Sequence, residues 1–343
     1  MAVLRFLLFV LLEIAFAPLQ IVGTTIFGAR LRFLNRPRGI SGTAYEPFMA
    51  RLSLNDVGTR SDPASAQIAP HLPALSPSVV LLLFRTLALA ARWSGFRGSF
   101  FAYPGPKPSK MMTFISHRTH FFDEAIAAAV AEDSPIRQLV LLGAGFDTRC
   151  YSPLPDGTDL RQVAADRGVC LFEADQPPTQ EAKRQALRDG GVDARHVTFA
   201  PTDFQQRSWL QSLQENGFDP QLPTFVLWEG VTMYLDDDSV QKTLLEIAAF
   251  APGSSVALDY MSRELVFAEK PFRAFGLYVR YALRGVYGES WNFGISTRRP
   301  LEPLVEEFAA AQGLQALRVE ALGVGRHSKA SMGGLLLAEV PQR

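Results

Sequence analysis

The sequence predicts an α/β protein, with a seven-stranded, mostly parallel sheet covered by helices on both faces. Three observations carry that expectation. From about residue 118 onward, short apolar runs alternate with stretches of helical periodicity, the pattern of strands joined by crossover helices. The run Leu139-Val-Leu-Leu142 is continuously apolar, as in a strand buried on both faces. That run closes on Gly143-Ala144-Gly145, where glycines allow a tight turn and a close backbone approach to a ligand.

Taken in order, a helix over Phe121–Ala131 leads into the first strand, Gln138–Leu142. Further strands are expected at Val169–Ala174, His196–Ala200, Thr224–Trp228 and Ser254–Tyr260, with helices near 178–189, 206–216 and 237–250 between them. A helix near 301–312 and strands near 315–322 and 333–340 complete the seven. Residues 151–168 read as an insertion or a long loop. The domain expectation is an apolar N-terminal helix (1–35), a helical and irregular extension (36–117) and the α/β domain (118–343).

The first segment is distinctive. Phe6–Phe27 is an apolar stretch of 22 residues interrupted by Glu13, Pro18 and Gln20, and about 20 apolar residues suffice to cross a bilayer. Arg30, Arg32, Arg36 and Arg38 follow at once, which would hold that side in the cytoplasm. Ala15-Phe16-Ala17 imitates a signal-peptidase site, but Pro18 disfavours cleavage, and Glu13 near the middle is costly in lipid. A membrane anchor, a membrane-surface helix and a helix capping the globular part all remain open. A second apolar run, Val79–Trp93, is broken by Arg85 and is short for a span; it suits an interfacial or core-packed helix.

Composition bounds the partners. The chain has 343 residues, 48% of them hydrophobic, with 34 Lys plus Arg balancing 34 Asp plus Glu. That balance gives no field for nucleic acid. Two cysteines, Cys150 and Cys170, make neither a disulfide framework nor a CxxC site and suit reduced thiols in the cytoplasm. His117 and His120 alone do not make a metal site, and no metal is expected.

The chemistry-bearing residues sit at successive strand ends. Gly143 and Gly145 open the loop after the first strand, but Thr148 stands where the dinucleotide fingerprint has its third glycine. A pyrophosphate needs that close approach at a helix N-terminus; S-adenosyl-L-methionine (SAM) has no phosphate and does not. Asp175 ends the second strand, placed to accept hydrogen bonds from ribose hydroxyls, although it lies 30 residues beyond Gly145 rather than the usual ~20. After the third strand, Asp203 suits an adenine amino group and Phe204 the adenine ring, while helix capping by Asp203 is the plainer alternative. Glu229 follows the fourth strand and suits an ammonium group. Arg118 suits a bidentate pair with the cofactor's carboxylate; taken alone it reads as a surface charge. Tyr151, Tyr234 and Tyr260 lie at strand ends, as core residues or as lining of an acceptor pocket.

These blocks together resemble the leucine carboxyl methyltransferase family, including the bacterial SAM-dependent methyltransferases and polyketide O-methyltransferases grouped with it. The matching pieces are Arg118-Thr119 with Phe122-Asp123, Gln138 through Arg149, and Phe172-Glu-Ala-Asp-Gln-Pro177 with Lys183 and Leu187. Asp203, Trp209, Gly217-Phe218-Asp219 and Pro223 through Glu229-Gly230 to Tyr234-Leu235 follow. The likeness is close over about 118–260 and loose over 261–340. Gln176 departs from the pattern, standing where an apolar residue is frequent. The resemblance implies a Rossmann-like class I methyltransferase fold, SAM as cofactor, and SAM contacts at Arg118, Gly143, Asp175, Asp203, Phe204 and Glu229. It implies O-methylation of a small molecule or a peptide carboxylate. A carboxylate is ionised near neutral pH and needs no general base; for a hydroxyl acceptor the sequence names no base. A non-catalytic, membrane-associated SAM-binding protein and a nicotinamide-dependent oxidoreductase are the competing readings.

Overall fold

The computed structural model describes residues 1–107, 109–202, 208–298, 300–324 and 330–342. Its centre is the predicted sheet: β1 (Gln138–Leu142), β2 (Cys170–Asp175), β3 (Val197–Pro201), β4 (Thr224–Trp228), β5 (Ser255–Met261), β6 (Gln315–Val324) and β7 (Ser331–Glu339). The strand order is β3-β2-β1-β4-β5-β7-β6. The pairs from β3 through β5 are parallel, and β7 runs antiparallel to both neighbours. The chain leaves β1 toward β2 and returns to β4 on its other side. That reversal opens a crevice at the carboxyl ends of β1 and β4, where open α/β sheets bind ligands.

Side-chain alternation divides the core between the two faces. Leu139 and Leu141 of β1 pack with Tyr45, Phe48, Phe121 and Phe122 on one face. Val140 and Leu142 pack with Phe172, Trp209, Trp228 and Leu244 on the other.

Before the sheet come α1 (Ala2–Arg30), α2 (Tyr45–Val57), α3 (Pro63–Ile68), α4 (Pro77–Val79), α5 (Thr86–Ser94) and α6 (Phe114–Ala129). Residues Val80–Arg85 form a π-helical turn joining α4 to α5. Within the sheet's connections lie α7 (Leu160–Arg167), α8 (Pro177–Asp189), α9 (Trp209–Glu215) and α10 (Asp237–Ala248), followed by α11 (Arg263–Val266), α12 (Arg273–Ala282) and α13 (Leu301–Ala311).

The expected loop over 151–168 contains α7, capped by Asp159 at its start and closed by Gly168 in the left-handed region. Only Leu160 of that helix is buried, so its apolar periodicity is too weak to read. The extension 36–117 shares the hydrophobic core of the sheet through residues of α2, α3 and α5's approach, such as Phe48, Ile68 and Phe84.

Helix α1 runs through Pro18 without a break and continues as π- and 3₁₀-helical turns to Gly39. It lies antiparallel to residues 73–96 along its whole length. Phe6 and Phe9 meet Phe96, with ring centroids 5.4 and 5.0 Å apart, and Phe16 meets Trp93 at 6.0 Å. The Arg30 Nε donates to the Pro73 carbonyl at 2.9 Å. At the crossing, a Cβ on Gly23 would stand 2.9 Å from Leu82 Cβ; glycine is required for that approach. The opposite face exposes Leu4, Leu7, Leu11, Ile14, Ile21 and Val22. By length and composition, Ala2–Arg38 and Pro77–Ser94 each suffice to cross a membrane.

Because Gly23 sits at that crossing, Gly23→Ile forces overpacking and should destabilise by about 1–3 kcal/mol. Denaturant unfolding reads this as an earlier midpoint. An unchanged midpoint would contradict the packing of α1.

Candidate functional site

The parallel register aligns the ends of three strands. Leu142 stands opposite Ala174 of β2, and Leu141 opposite Leu227 of β4. The turns after β1, β2 and β4 therefore emerge side by side, around a cavity of about 490 Å³. That volume falls within the range of small-molecule sites.

The first wall is Gly143–Asp147. Gly143 has φ of +72° and a Cβ there would overlap Val231, while Gly145 has φ of +47°. Both positions demand glycine. The second wall is Asp175 with Gln176. Asp175 Oδ2 accepts from the Gly145 amide at 2.6 Å, and Oδ1 from the Gln176 amide at 2.7 Å. Burial pushes this carboxyl up to about 6, against the pull of those two amides. The third wall is Glu229–Val231, with Tyr234 and Leu235.

A charged lattice lies under the cavity floor. Arg149 Nη1 contacts Asp147 Oδ2 at 2.5 Å and Glu229 Oε2 at 2.6 Å, while its Nε reaches Asp123 Oδ1 at 2.7 Å. Asp123 also binds Arg60, whose Nη1 holds Asp62 at 3.1 Å. The Thr148 hydroxyl donates to Asp62 at 2.7 Å, so the residue in the missing glycine's place joins this lattice. Burial alone would raise the carboxyls of Asp123 and Glu229. Arg60 and Arg149 overcome it at Asp123, and Arg149, Arg118 and Arg51 at Glu229, holding both below their ordinary values.

Of the arginines around this lattice, Arg51 lines the cavity. It is 1% exposed, and its Nη1 stands 3.5 Å from both Asp147 Oδ2 and Glu229 Oε2. Its Nε and Nη1 have no hydrogen-bond partner. A buried guanidinium left short of acceptors is costly, and burial lowers its proton affinity. Glu229 Oε1, 3.3 Å from Arg118 Nε, likewise has no hydrogen bond. The floor thus presents an under-used cation beside an under-used anion, suited to a zwitterion.

The roof comes from distant sequence: Arg36, Gly39–Ser41, Thr43, Ala44 and Pro47 on one side, Tyr287–Ser290 and Asn292 on the other. Glu289 clasps the two. Its Oε1 accepts from the Ser41 hydroxyl (3.2 Å) and the Gly42 amide (3.1 Å), and its Oε2 from the Thr43 hydroxyl (2.5 Å).

Among the sequence-predicted residues, Gly143, Gly145, Asp175 and Glu229 line this one cavity. Arg118 does not line it. Its guanidinium lies behind Glu229, with Nη1 bonded to Asp259 Oδ2 at 3.1 Å. Asp203 and Phe204 fall outside the described residues. Of the three tyrosines, Tyr234 lines the cavity. Tyr151 is buried and donates to Glu173, which also pairs with Lys183, and Tyr260 is buried in the core opposite. Arg51, Glu289 and Tyr287 were missed; each is a lone polar or aromatic residue in a stretch without strand or helix signal.

Residues 99–248 match the leucine carboxyl methyltransferase family. The match to these methyltransferases runs from before α6 to the end of α10, and so contains three walls of the cavity. The roof and Arg51 lie outside it. A "Putative S-adenosyl-L-methionine-dependent methyltransferase" of Mycolicibacterium vanbaalenii is 35% identical over 163 residues, 47% of this chain and 50% of the relative. A protein of the same name from Mycobacterium tuberculosis is 36% identical over 151 residues, 43% of this chain and 44% of the relative. This chain thus spans about half the length of the curated relatives it matches. A solved structure described as a "putative methyltransferase" from Thermobifida fusca YX superposes with a TM-score of 0.48 at 14% identity, covering 81% of this chain and 94% of that one.

Removing the carboxylate of Asp123 leaves Arg60 and Arg149 buried without their shared partner. Asp123→Ala should therefore cost about 3–5 kcal/mol of stability, read by denaturant unfolding; a loss within the range of surface substitutions would contradict the lattice.

Proposed function

We propose that this protein is a SAM-dependent methyltransferase acting on an oxygen acceptor, a carboxylate before a hydroxyl, and that it works at a membrane. The observation that carries the reading is the cavity's polar complement. A glycine cradle and Asp175 line the cavity together with Arg51 and Glu229, which each keep an atom without a hydrogen bond. A nucleoside bearing an amino acid needs that combination. Asp175 would take the ribose hydroxyls, Arg51 the carboxylate and Glu229 the ammonium group.

SAM, when bound, supplies the activated methyl group. The protein's part is to align donor and acceptor and exclude water; alignment alone can lower a barrier by roughly 7–11 kcal/mol. The roof serves both ends, since Glu289 ties residues 41–43 over the cavity. Burial raises the phenols of Tyr234 and Tyr287 well above their ordinary range, so neither is a ready base near neutral pH. This supports an acceptor that is already ionised.

Membrane association rests on α1. The polar side chains along its apolar stretch are bonded within the protein, Glu13 through Oε2 only, its Oε1 being left without a partner. Gln20 donates to Glu13 Oε2 at 3.0 Å and to Thr86 at 3.4 Å, and Thr24 and Thr25 donate to the carbonyls of Gln20 and Ile21. Internal satisfaction is what lipid demands. Because α1 is docked along residues 73–96, it meets the bilayer side-on through its exposed apolar face rather than as a free-standing span.

Two outcomes test the cofactor site. Arg51→Lys keeps the charge and loses the fork, so SAM affinity by calorimetry should fall about tenfold or more, the cost of one charge-assisted hydrogen bond. Unchanged affinity in the folded variant would remove Arg51 from the site, and tighter binding of NAD than of SAM would overturn the reading as a whole. The second outcome concerns pH. Ribose hydroxyls donate to the ionised Asp175, so protons compete with SAM. Affinity should be constant well above pH 6, the value to which burial raises this group, and should fall as the pH drops through it. Binding near pH 6 should release a proton, measurable by calorimetry in buffers of different ionisation enthalpy. Proton uptake there would contradict the role of Asp175.

A further inference from the structure

Helix α12 and the π-helical turn that continues it, Leu283–Tyr287, carry a surface that the methyltransferase reading does not use. Residues 273–288 contain Arg273, Arg280 and Arg284 and no acid. Phe272 and Phe275 pack inward against Met233, Met261 and Leu265. Gly276 is pressed against α11, where a Cβ would stand 2.6 Å from the Leu265 carbonyl oxygen. The outward face is apolar and aromatic: Leu277 is 54% exposed, Tyr278 68% and Tyr281 83%. A shallow groove there is lined by Leu277, Arg280, Tyr281, Arg284 and Gly285. Neighbouring acids are already committed. Glu269 pairs with Arg298, Glu264 binds Ser296, Thr297 and Arg298, and Glu289 holds residues 41–43. Among the described residues, Arg273 and Arg280 of α12 and Arg284 of the turn have no ion-pair partner, and Arg284 Nε donates to the Ser290 hydroxyl at 3.2 Å.

We infer that α12 is a second membrane contact, lying in the headgroup layer of an anionic bilayer with Leu277, Tyr278 and Tyr281 toward the lipid and its arginines on the phosphates. Tyrosine on an apolar face flanked by arginines is the composition of an interfacial helix, and each arginine gains from the negative surface. A second copy of the chain is the poorer occupant, because a two-fold contact would bring together two copies of the same arginine-bearing patch, with no acid in residues 273–288 of either to offset the charge. The C-terminal ends of α1 and α12 also converge. Beyond α1, the Arg36 guanidinium packs on Gly288, where a Cβ would meet it at 3.2 Å. Arg36, Tyr287 and Gly288 then line the cavity together. The two helices thus end at the same edge of the pocket. This inference rests on the membrane reading of α1.

The test uses the full chain with the exposed Cys170 replaced (Cys170→Ser) and Tyr281→Cys labelled with an environment-sensitive fluorophore. Gln185→Cys on the exposed face of α8 is the control. Each is mixed with phosphatidylcholine vesicles or with vesicles also containing phosphatidylglycerol, and every sample is floated. The expected result is co-flotation, a blue shift at position 281 that is larger with phosphatidylglycerol, and quenching by brominated lipid chains within the ~5–10 Å depth of an interfacial helix, with no change at position 185. If the protein floats but the label at 281 stays in water, the α12 contact is overturned and the α1 reading survives. A blue shift without lipid that grows with protein concentration would make a second copy the occupant and overturn it equally. Failure to float removes both membrane contacts and leaves the cofactor site untouched.

Discussion

The buried guanidinium of Arg149 is the constraint on which the architecture turns. It contacts Asp123 from α6, Asp147 from the loop after β1 and Glu229 from the end of β4. One planar cation thereby fixes the relative positions of a helix and two strand-end loops. Asp123 passes the constraint on to Arg60 and Asp62, which bind the N-terminal extension to the sheet. Charges this deeply buried are costly unless every partner is in place, so the lattice is specific in its geometry even where its net stabilisation is small. It also holds Glu229 and Arg51 at the cavity floor, in a geometry that leaves each with an unused atom.

Much of the sheet was legible because its strands are buried on both faces. Runs such as Leu139–Leu142 and Phe225–Trp228 have no polar face to confuse with a helix, and each strand boundary falls within a residue or two of the expected one. The glycines after β1 could be read because their turn needs positive φ. Helix α7 could not, since a short surface helix burying only Leu160 has no apolar stripe. The start of α6, earlier than expected, carries the buried polar run Ser116–Thr119, whose partners come from distant strands, Glu320 for His117 and Asp259 for Arg118.

The floor of the site was only half legible. Asp175 and Glu229 were readable as acids directly after apolar strands. Arg118 was read as a carboxylate partner, yet Asp259 within β5 and Glu229 itself occupy its guanidinium. Arg51, which does line the cavity, sits in a helix of mixed composition and looks like any surface cation. Spacing along the chain does not say which of two arginines the fold brings to the cavity and which it sets behind Glu229. The roof was illegible for a related reason: Glu289 gains its role only from the amides and hydroxyls of residues 41–43, nearly 250 positions away.

A crystal structure of the full chain with S-adenosylhomocysteine tests the central claim most directly. The account predicts the amino-acid carboxylate on the Arg51 guanidinium, the ammonium on Glu229 and the ribose hydroxyls on Asp175, with Arg118 still bound to Asp259. A ligand carboxylate held by Arg118 while Arg51 makes no contact, or a ligand bound outside the cavity between β1 and β4, would contradict it.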